Sequence, residues 1–335
     1  MLSSSRPSPR LTAAPLPVAA LFALPLLGGD PPPPLLPPVN HGPGTTGGGS
    51  NTSSGETLRQ GAFEIELRTE YTTFDDASRA EAEAKATQVG EFDSIESTFI
   101  QSVALFYGFS DDLQLGVQTG YYHGSNFIDA EDDGGGPESS TADPAGLTDT
   151  WLTAKYRLVR GAYGHLALQG GVKLPTGDDD DTLDNFEELE PSSQAGSGSV
   201  DYQAGLAYSR YLTSHVTLDA SAFYTLRTEH DDFEVGDRAD LGLALAYRLT
   251  EDVQAPNNWS VFGELSGVWL GKDEDEGEAN DNSGGEVLYL TLGVRDRITK
   301  NVALSLAPSL PIYQDENGEQ VEVDARVAFD VTFSL

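Results

Sequence analysis

Apolar and charged residues alternate along the chain from about residue 57 to its end. The stretch 57–71 shows the pattern, since Phe63 and Leu67 have one parity while Glu64 and Glu66 have the other. Successive side chains of a β-strand point to opposite faces, whereas an α-helix repeats every 3.6 residues. The pattern therefore predicts strands with one apolar face and one charged face.

The same alternation recurs in eleven further segments, so the sequence predicts twelve strands. They are 57–71, 96–109, 113–122, 148–158, 165–174, 199–209, 216–227, 238–249, 259–270, 285–295, 302–311 and 321–335. Most have about 10–15 residues, whereas strands of soluble proteins average about 5–6 and a tilted membrane-crossing strand needs about 9–11. The sequence thus predicts an all-β fold, a transmembrane up-and-down antiparallel β-barrel of about 12 strands. The one short helix predicted is at 77–87.

The connections between these strands alternate in length. Short ones fall at 110–112, 159–164, 210–215, 250–258 and 296–301, and longer ones at 75–94, 123–147, 175–198, 228–237, 271–284 and 312–320. Barrels of the bacterial outer membrane have short periplasmic turns and longer extracellular loops, whereas a β-sandwich gives no reason for such alternation. We therefore predict a bacterial outer-membrane location with both termini periplasmic.

Composition narrows the possible partners. The net charge is −35, and most of the 54 acidic residues fall in the six long connections. Such a chain should not bind nucleic acid, which prefers basic surfaces. The predicted partners are instead outer-membrane lipid and lipopolysaccharide, the barrel-assembly machinery and a small-molecule solute.

No cofactor, metal site or catalytic site is predicted. The chain has no cysteine, which excludes disulfides, thiolate metal sites and a lipid anchor on cysteine. The acidic runs 178–181 and 273–281 do not match the calcium-binding EF-hand pattern, so solvated loops are predicted, with weak binding of divalent cations as the alternative. Since no nucleophile motif appears either, we predict that the protein is not an enzyme.

The N-terminus resembles an export signal. Arg6 and Arg10 precede a short, Pro-interrupted apolar run at 11–27, which predicts a signal peptide at 1–29, with an uncleaved anchor helix as the alternative. Residues 30–56 are Pro-rich and then Gly/Ser/Thr-rich. Such a composition predicts a disordered leader, followed by the barrel at 57–335.

Strand parity selects the residues that should line the lumen. The candidates are Glu66, Arg68, Asp149, Trp151, Lys155, Arg157, Lys173, Asp201, Asp219, Phe223, Arg227, Arg248, Glu264, Tyr289 and Arg326. Two interpretations stay open, because buried charges are normally paired and inward aromatic rings can simply fill space. The same residues can therefore line a pore or plug it.

Several segments resemble an outer-membrane transporter family named for the meta-pathway of phenol degradation. They are LTDTWLTAKYRL (147–158), GGVKLPTG (170–177), GSGSVDYQAGLAYSRYL (196–212), residues 283–320 and the final strand. The resemblance extends over roughly 60–335 and implies a barrel that moves hydrophobic or aromatic compounds, with no catalytic residues. The chain departs from the usual terminal Phe or Trp of such barrels, because it ends on Leu335 with Phe333 two positions earlier.

The resulting functional prediction is a porin-like outer-membrane channel or transporter for passive uptake of small solutes, with aromatic or hydrophobic compounds as the candidates. The acidic loops should favour cations or neutral solutes over small anions. The alternative is a structural or surface-interaction barrel with a plugged lumen and functional acidic outer loops.

Overall fold

The computed structural model describes residues 49–132, 134–161, 164–250 and 256–335. The predicted signal peptide and residues 30–48 of the predicted leader lie outside these ranges. In the described part of the chain, no helix is long and apolar enough to cross a membrane.

Twelve long strands form the main sheet. They are β1 (Phe63–Phe74), β2 (Ser97–Ser110), β3 (Leu113–Ser125), β4 (Thr150–Gly161), β5 (Gly164–Leu174), β6 (Tyr202–Tyr211), β7 (Val216–Leu226), β8 (Arg238–Arg248), β9 (Asn258–Leu270), β10 (Gly285–Thr299), β11 (Val302–Glu316) and β12 (Val323–Ser334). Each pairs antiparallel with the next along the chain, and β1 also pairs with β12, from Glu64↔Ser334 to Phe74↔Val323. The sheet is a closed up-and-down barrel, so the predicted fold is confirmed.

The two faces of the barrel wall differ as the alternation predicts. Large apolar side chains are exposed on the outer face, as with Leu292 (64% exposed) and Leu310 (59%). Charged side chains of the opposite parity are buried, and Glu64 and Asp219 are each 0% exposed. An apolar exterior around a charged interior suits a wall surrounded by lipid rather than water.

Three inward aromatic rings of the wall lie over glycines of the neighbouring strand. Phe106 lies against Gly116 and Phe223 against Gly205, while a Cβ atom on Gly293 would come within 2.1 Å of the Phe262 ring. Each ring and its glycine are register partners across the two strands. The glycines therefore make room for rings that fill space against the inner wall.

We expect Gly293→Ala to lower the free energy of unfolding by about 1–3 kcal/mol, because the added methyl group overpacks against Phe262. Gly263 on the paired strand is the matched control, since a Cβ atom there would come no closer than 3.7 Å to its nearest neighbour, Leu292 Cδ2. Urea titration of both variants refolded in lipid would measure the difference. Equal stabilities of Gly293→Ala and Gly263→Ala would contradict this packing.

The long connections form folded structure at one end of the barrel, which we call the cap. The cap contains α1 (Arg79–Val89) and two small sheets. One sheet consists of Glu91–Ser94, Phe127–Glu131 and Glu138–Ala142, and the other of Phe233–Glu234, Glu274–Asp275 and Glu278–Ala279. A capping box between Ser78 and Glu81 begins α1, whose Ala82 and Ala86 pack in a buried cluster with Phe92. The opposite end, with the short connections and the end of β12, is called the turn end.

The acidic run 273–281 is largely exposed and the run 178–181 is partly exposed, and some of their carboxylates accept hydrogen bonds from neighbouring connections. Asp178 accepts a hydrogen bond from the backbone of Leu147 (2.8 Å), and Asp181 accepts one from Ala145 (3.0 Å). In the second run, Asp273 accepts from the backbone of Gly236 (2.7 Å). These hydrogen bonds join neighbouring connections to one another.

Candidate functional site in the barrel lumen

An extended segment, 49–58, lies inside the barrel near the turn end and consists mainly of small Gly, Ser, Thr and Asn residues. We call it the inner segment. Glu264 on β9 accepts hydrogen bonds from the backbone of Ser50 (3.0 Å) and Asn51 (2.9 Å) and from the hydroxyl of Thr52 (2.6 Å). From β1, Arg68 donates to Ser50 Oγ (3.0 Å) and to the side chain of Asn51 (2.9 Å). The start of the inner segment is therefore held between two distant strands.

The rest of the inner segment follows the wall towards β3. The backbone of Gly55 donates to Ser209 Oγ on β6 (2.7 Å), and Lys155 on β4 donates to the carbonyl oxygen of Ser54 (3.1 Å). The backbone of Leu58 then donates to the side chain of Gln114 on β3 (2.9 Å).

Residues 49–56 are the last eight residues of the leader that the sequence predicts to be disordered. In the structure they are held against the barrel wall. Thr52 and Ser54 are only 7% and 6% exposed, so these positions are ordered against the wall. The physical reason is that a polar lumen offers hydrogen bonds in place of an apolar core, and small residues fit closely beside its side chains. Gly55 illustrates the fit, since a Cβ there would lie 2.4 Å from the carbonyl oxygen of His165.

Four cavities follow one another through the barrel. A vestibule of about 490 Å³ lies under the cap, two mid-lumen cavities measure about 580 and 300 Å³, and a turn-end cavity measures about 270 Å³. Arg238 lines the vestibule and both mid-lumen cavities, and Gln118 lines both mid-lumen cavities and the turn-end cavity. The inner segment lines the turn-end cavity and the smaller mid-lumen cavity, so it lies between them.

Most of the lumen candidates line these cavities. Eleven do so: Glu66, Arg68, Asp149, Trp151, Lys155, Lys173, Asp201, Arg227, Arg248, Tyr289 and Arg326. The other four contact protein groups. Arg157 forms an ion pair with Asp112 (3.0 Å), and Asp219 accepts a hydrogen bond from Ser209. Phe223 lies over Gly205, and Glu264 accepts hydrogen bonds from the inner segment. That any of the fifteen candidates contacts a solute stays a prediction.

Sequence reasoning missed residues at the centre of the lumen. Gln118 and Ser102 line both mid-lumen cavities, and Ser50 and Asn51 line two cavities from the inner segment. The parity of β3 could have identified Gln118, because it shares a face with Gln114. No periodic signal marks the inner segment, whose wall partners are up to 280 positions away in the chain.

Many wall charges are paired. Lys173 lies between Asp201 (2.6 Å) and Asp149 (3.1 Å), and all three side chains are at most 10% exposed. Arg68 pairs with Glu70 (2.8 Å) and Asp330 (3.1 Å). In each of these clusters one cation lies between two carboxylates.

Carboxyl groups converge in the cap above the vestibule. Glu91 faces Glu131 and Asp93 faces Asp129 across one sheet of the cap, and Glu190 approaches Glu91 and Asp93 to within metal-ligand range. Burial, with repulsion from neighbouring carboxylates, raises the pKa of Glu190 to about 7 and that of Asp129 to about 6. Acidic groups often converge without a metal, and in the described residues no second feature points to an ion at this cluster.

We expect the cap to become less stable as the pH rises from about 5 to about 8. A carboxyl group whose pKa is raised in the folded cap binds its proton more tightly there than in the opened cap. Its contribution to the stability of the cap is therefore present at low pH. That contribution is lost as the pH rises through the pKa of the folded state, which is about 7 for Glu190. Hydrogen-exchange protection of Phe127–Glu131, corrected for intrinsic rates, should fall by roughly tenfold across this range.

Glu190→Gln should weaken this pH dependence, because the amide does not titrate, whereas Glu188→Gln at an exposed position should preserve it. Protection that is equal at pH 5 and pH 8 in the unaltered protein would contradict the proposed role of these carboxyl groups.

Comparisons with known proteins agree with this architecture. A family model described as "Putative MetA-pathway of phenol degradation" matches residues 126–309, more than half of the 335-residue chain. No curated protein matches the chain. An outer membrane channel from Pseudomonas putida F1 shares 16% sequence identity at a TM-score of 0.59, covering 84% of this chain and 97% of that one. This similarity shows a shared barrel fold.

Two further solved structures are more distant. The KdgM porin in complex with disordered oligogalacturonate shares 9% identity at a TM-score of 0.43, covering 81% of this chain and 99% of that one. The Pseudomonas putida toluene transporter TodX shares 10% identity at a TM-score of 0.44, covering 90% of this chain and 98% of that one.

Proposed function

The chain belongs to the MetA-pathway phenol-degradation family, and from this premise we propose that it is a channel for passive uptake of small solutes across the bacterial outer membrane. Aromatic or hydrophobic compounds are the candidate solutes. The observation that carries the proposal is the series of cavities from the vestibule to the turn end, which share wall residues such as Arg238 and Gln118.

The orientation follows from the unequal ends of the barrel. The cap, built from the long connections, faces the outside, and the turn end and both termini face the periplasm, as is usual for such barrels. The exposed apolar outer face, which includes Leu292 and Leu310, contacts lipid, and the acidic cap lies at the level of lipopolysaccharide. Insertion into this membrane requires the barrel-assembly machinery.

Aromatic side chains beside charged groups favour solutes that carry a ring. Trp151 lines the larger mid-lumen cavity together with Arg68 and Lys173, and Tyr289 lines the vestibule. Rings stack on aromatic faces while charged groups bind polar substituents, and the pairing of the two is common in sites for small organic molecules. A hydroxylated or otherwise substituted aromatic solute suits both features.

A plugged structural or surface-interaction barrel is the second candidate. The inner segment occupies part of the lumen and is hydrogen-bonded to separate strands of the wall through Glu264 and Arg68. In this alternative the folded acidic cap performs the function by contacting other molecules, and no solute crosses the barrel.

Swelling of proteoliposomes distinguishes the two candidates. Vesicles containing the full-length protein are diluted into isosmotic solutions of solutes that cross lipid slowly, among them a pentose and a glycosylated phenol. The channel predicts swelling well above that of protein-free vesicles, with the phenolic glycoside faster than its size alone implies. Swelling no faster than in protein-free vesicles for every solute would overturn the channel and support the plugged barrel.

A further inference from the structure

We propose that the junction of the vestibule and the mid-lumen cavities holds a binding site for the carboxylate group of a small organic acid, formed by Arg227, Arg238 and Arg326. The proposal rests on the proposed channel function and names a class of solute for it. The three arginines come from the end of β7, the start of β8 and the start of β12, and all three line the vestibule.

The same side chains reach the next cavities as well. Arg238 and Arg326 line the smaller mid-lumen cavity with Arg68, and Arg227 and Arg238 line the larger one, again with Arg68. A solute that leaves the vestibule in either direction therefore passes guanidinium groups. Arginine is suited to binding carboxylates because its planar fork donates two parallel hydrogen bonds.

The arginines around these cavities differ in how closely carboxylates of the protein pair with them. Arg68 has close carboxylates in Glu70 (2.8 Å) and Asp330 (3.1 Å), and Arg238 has one in Asp240 (2.8 Å). Arg326 reaches Glu70 only at 3.9 Å, although that carboxylate already accepts a hydrogen bond from Arg68.

Arg326 and Arg227 thus retain capacity for an anion. The Nε of Arg326 is buried and, within the described residues, has no hydrogen-bond partner. Arg227 donates to the carbonyl oxygen of Gly236 (3.1 Å), which is a neutral acceptor. A buried guanidinium that is incompletely paired is costly, and a carboxylate supplied by a ligand would remove that cost.

Neighbouring apolar groups indicate an organic acid rather than an inorganic anion. The guanidinium of Arg326 lies 4.2 Å from the centroid of the Tyr289 ring, and Val268 and Leu270 line the same vestibule. A carboxylate on the arginines would place its carbon skeleton against these side chains. Burial of that skeleton removes apolar surface from water and stabilises the complex, whereas chloride and phosphate have no apolar surface to bury.

The charge of the vestibule sets a limit on the charge of the solute. Six acidic residues line the same vestibule as the arginines: Glu91, Asp93, Glu190, Asp273, Glu316 and Glu319. Carboxylates at the mouth repel polyanions more strongly than singly charged solutes. The arrangement therefore favours a monocarboxylate with an aromatic or short aliphatic skeleton.

Calorimetric titration of the purified full-length protein in detergent tests the site with benzoate, neutral benzyl alcohol, inorganic phosphate and benzene-1,3,5-tricarboxylate as probes. We expect benzoate to bind at least about tenfold more tightly than the other three. Arg326→Gln and Arg227→Gln should each weaken benzoate binding by about tenfold, and Arg326→Lys should weaken it less because the charge remains.

Arg79→Gln is the matched control, because Arg79 lies on α1 with 51% of its side chain exposed and lines none of the four cavities. A heat-induced shift in gel mobility establishes that each variant retains the barrel. Benzoate binding no tighter than benzyl alcohol or phosphate, or binding that is unchanged in both Arg326→Gln and Arg227→Gln, would overturn the proposal.

Proteoliposome swelling with the same proteins separates this proposal from the channel function. Swelling without selective benzoate binding would leave the channel standing and remove the carboxylate site. Selective benzoate binding without swelling would support the site while overturning the channel that it was proposed to serve.

Discussion

Deletion of residues 31–56 should raise the single-channel conductance of the protein by about threefold, because the deletion removes most of the inner segment from the lumen. That segment lies between the smaller mid-lumen cavity and the turn-end cavity, each about 300 Å³ or less. With the segment gone, the two cavities would merge into a wider passage. Recording in planar bilayers at fixed salt measures the effect.

A milder variant tests the anchor of the inner segment without shortening the chain. Glu264→Gln weakens the hydrogen bonds that hold Ser50, Asn51 and Thr52, so we expect frequent transitions between a low and a high conductance level. Glu66→Gln removes the same charge from a residue that lines the lumen beside the segment, and it should show a single level. A deletion variant that retains the heat-modifiable barrel but conducts like the full-length protein would contradict the role given to the segment.

Lys173→Met should lower the free energy of unfolding by about 3 kcal/mol, because it leaves the buried carboxylates of Asp149 and Asp201 without their cation. The ammonium group lies 3.1 and 2.6 Å from these carboxylates. We place the effect at the lower end of the range for broken buried pairs, since Asp149 keeps hydrogen bonds from the backbone of Thr176 and Gly177. Urea titration in lipid vesicles measures the loss.

Two further variants show whether the loss comes from unpaired charge. The triple variant Lys173→Met, Asp149→Asn, Asp201→Asn should recover much of the stability, because no charge is then left unpaired. Lys272→Met breaks an exposed pair with Asp281 and should cost less than about 1 kcal/mol. If Lys173→Met is no less stable than Lys272→Met, the buried cluster does not stabilise the barrel as described.

The barrel could be predicted from the sequence because the environment on each side of the wall selects alternate residues. Leu292 on the lipid side and Glu264 on the lumen side illustrate this selection. The alternation repeats over strands that are too long for it to arise by chance. The predicted bounds hold to within a few residues for most strands. The predicted end of β11 at 311 is short of the observed Glu316, because Pro308 and Pro311 interrupt the apolar pattern there.

The contents of the lumen were harder to predict. Parity shows that Lys173 and Asp201 face inward, but their pairing depends on how the barrel closes and tilts. The inner segment carries no period, and its Gly, Ser and Thr residues have the same composition as a disordered linker. Its order comes from hydrogen bonds to wall residues such as Glu264 and Ser209, which are distant in sequence.

The acidic connections also acquire structure that composition does not reveal. A cluster with Ala82, Phe92 and Ile128 supports the cap, and cross-strand carboxylates such as Asp93 and Asp129 are brought together by the register of a small sheet. The prediction that acidic loops favour cations stays a prediction, and the arginines beneath the cap add an opposing attraction for monocarboxylates.

The central claim is that solutes and ions pass through the lumen beside Gln118, and a single introduced thiol tests it most directly. The chain has no cysteine, so Gln118→Cys creates one reactive position on the wall shared by three cavities. We predict that a charged methanethiosulfonate reagent lowers the bilayer conductance of Gln118→Cys but not that of Val117→Cys, whose side chain faces lipid and is 38% exposed. A protein that conducts no ions, or a current that is unchanged after complete modification of Gln118→Cys, would contradict the claim.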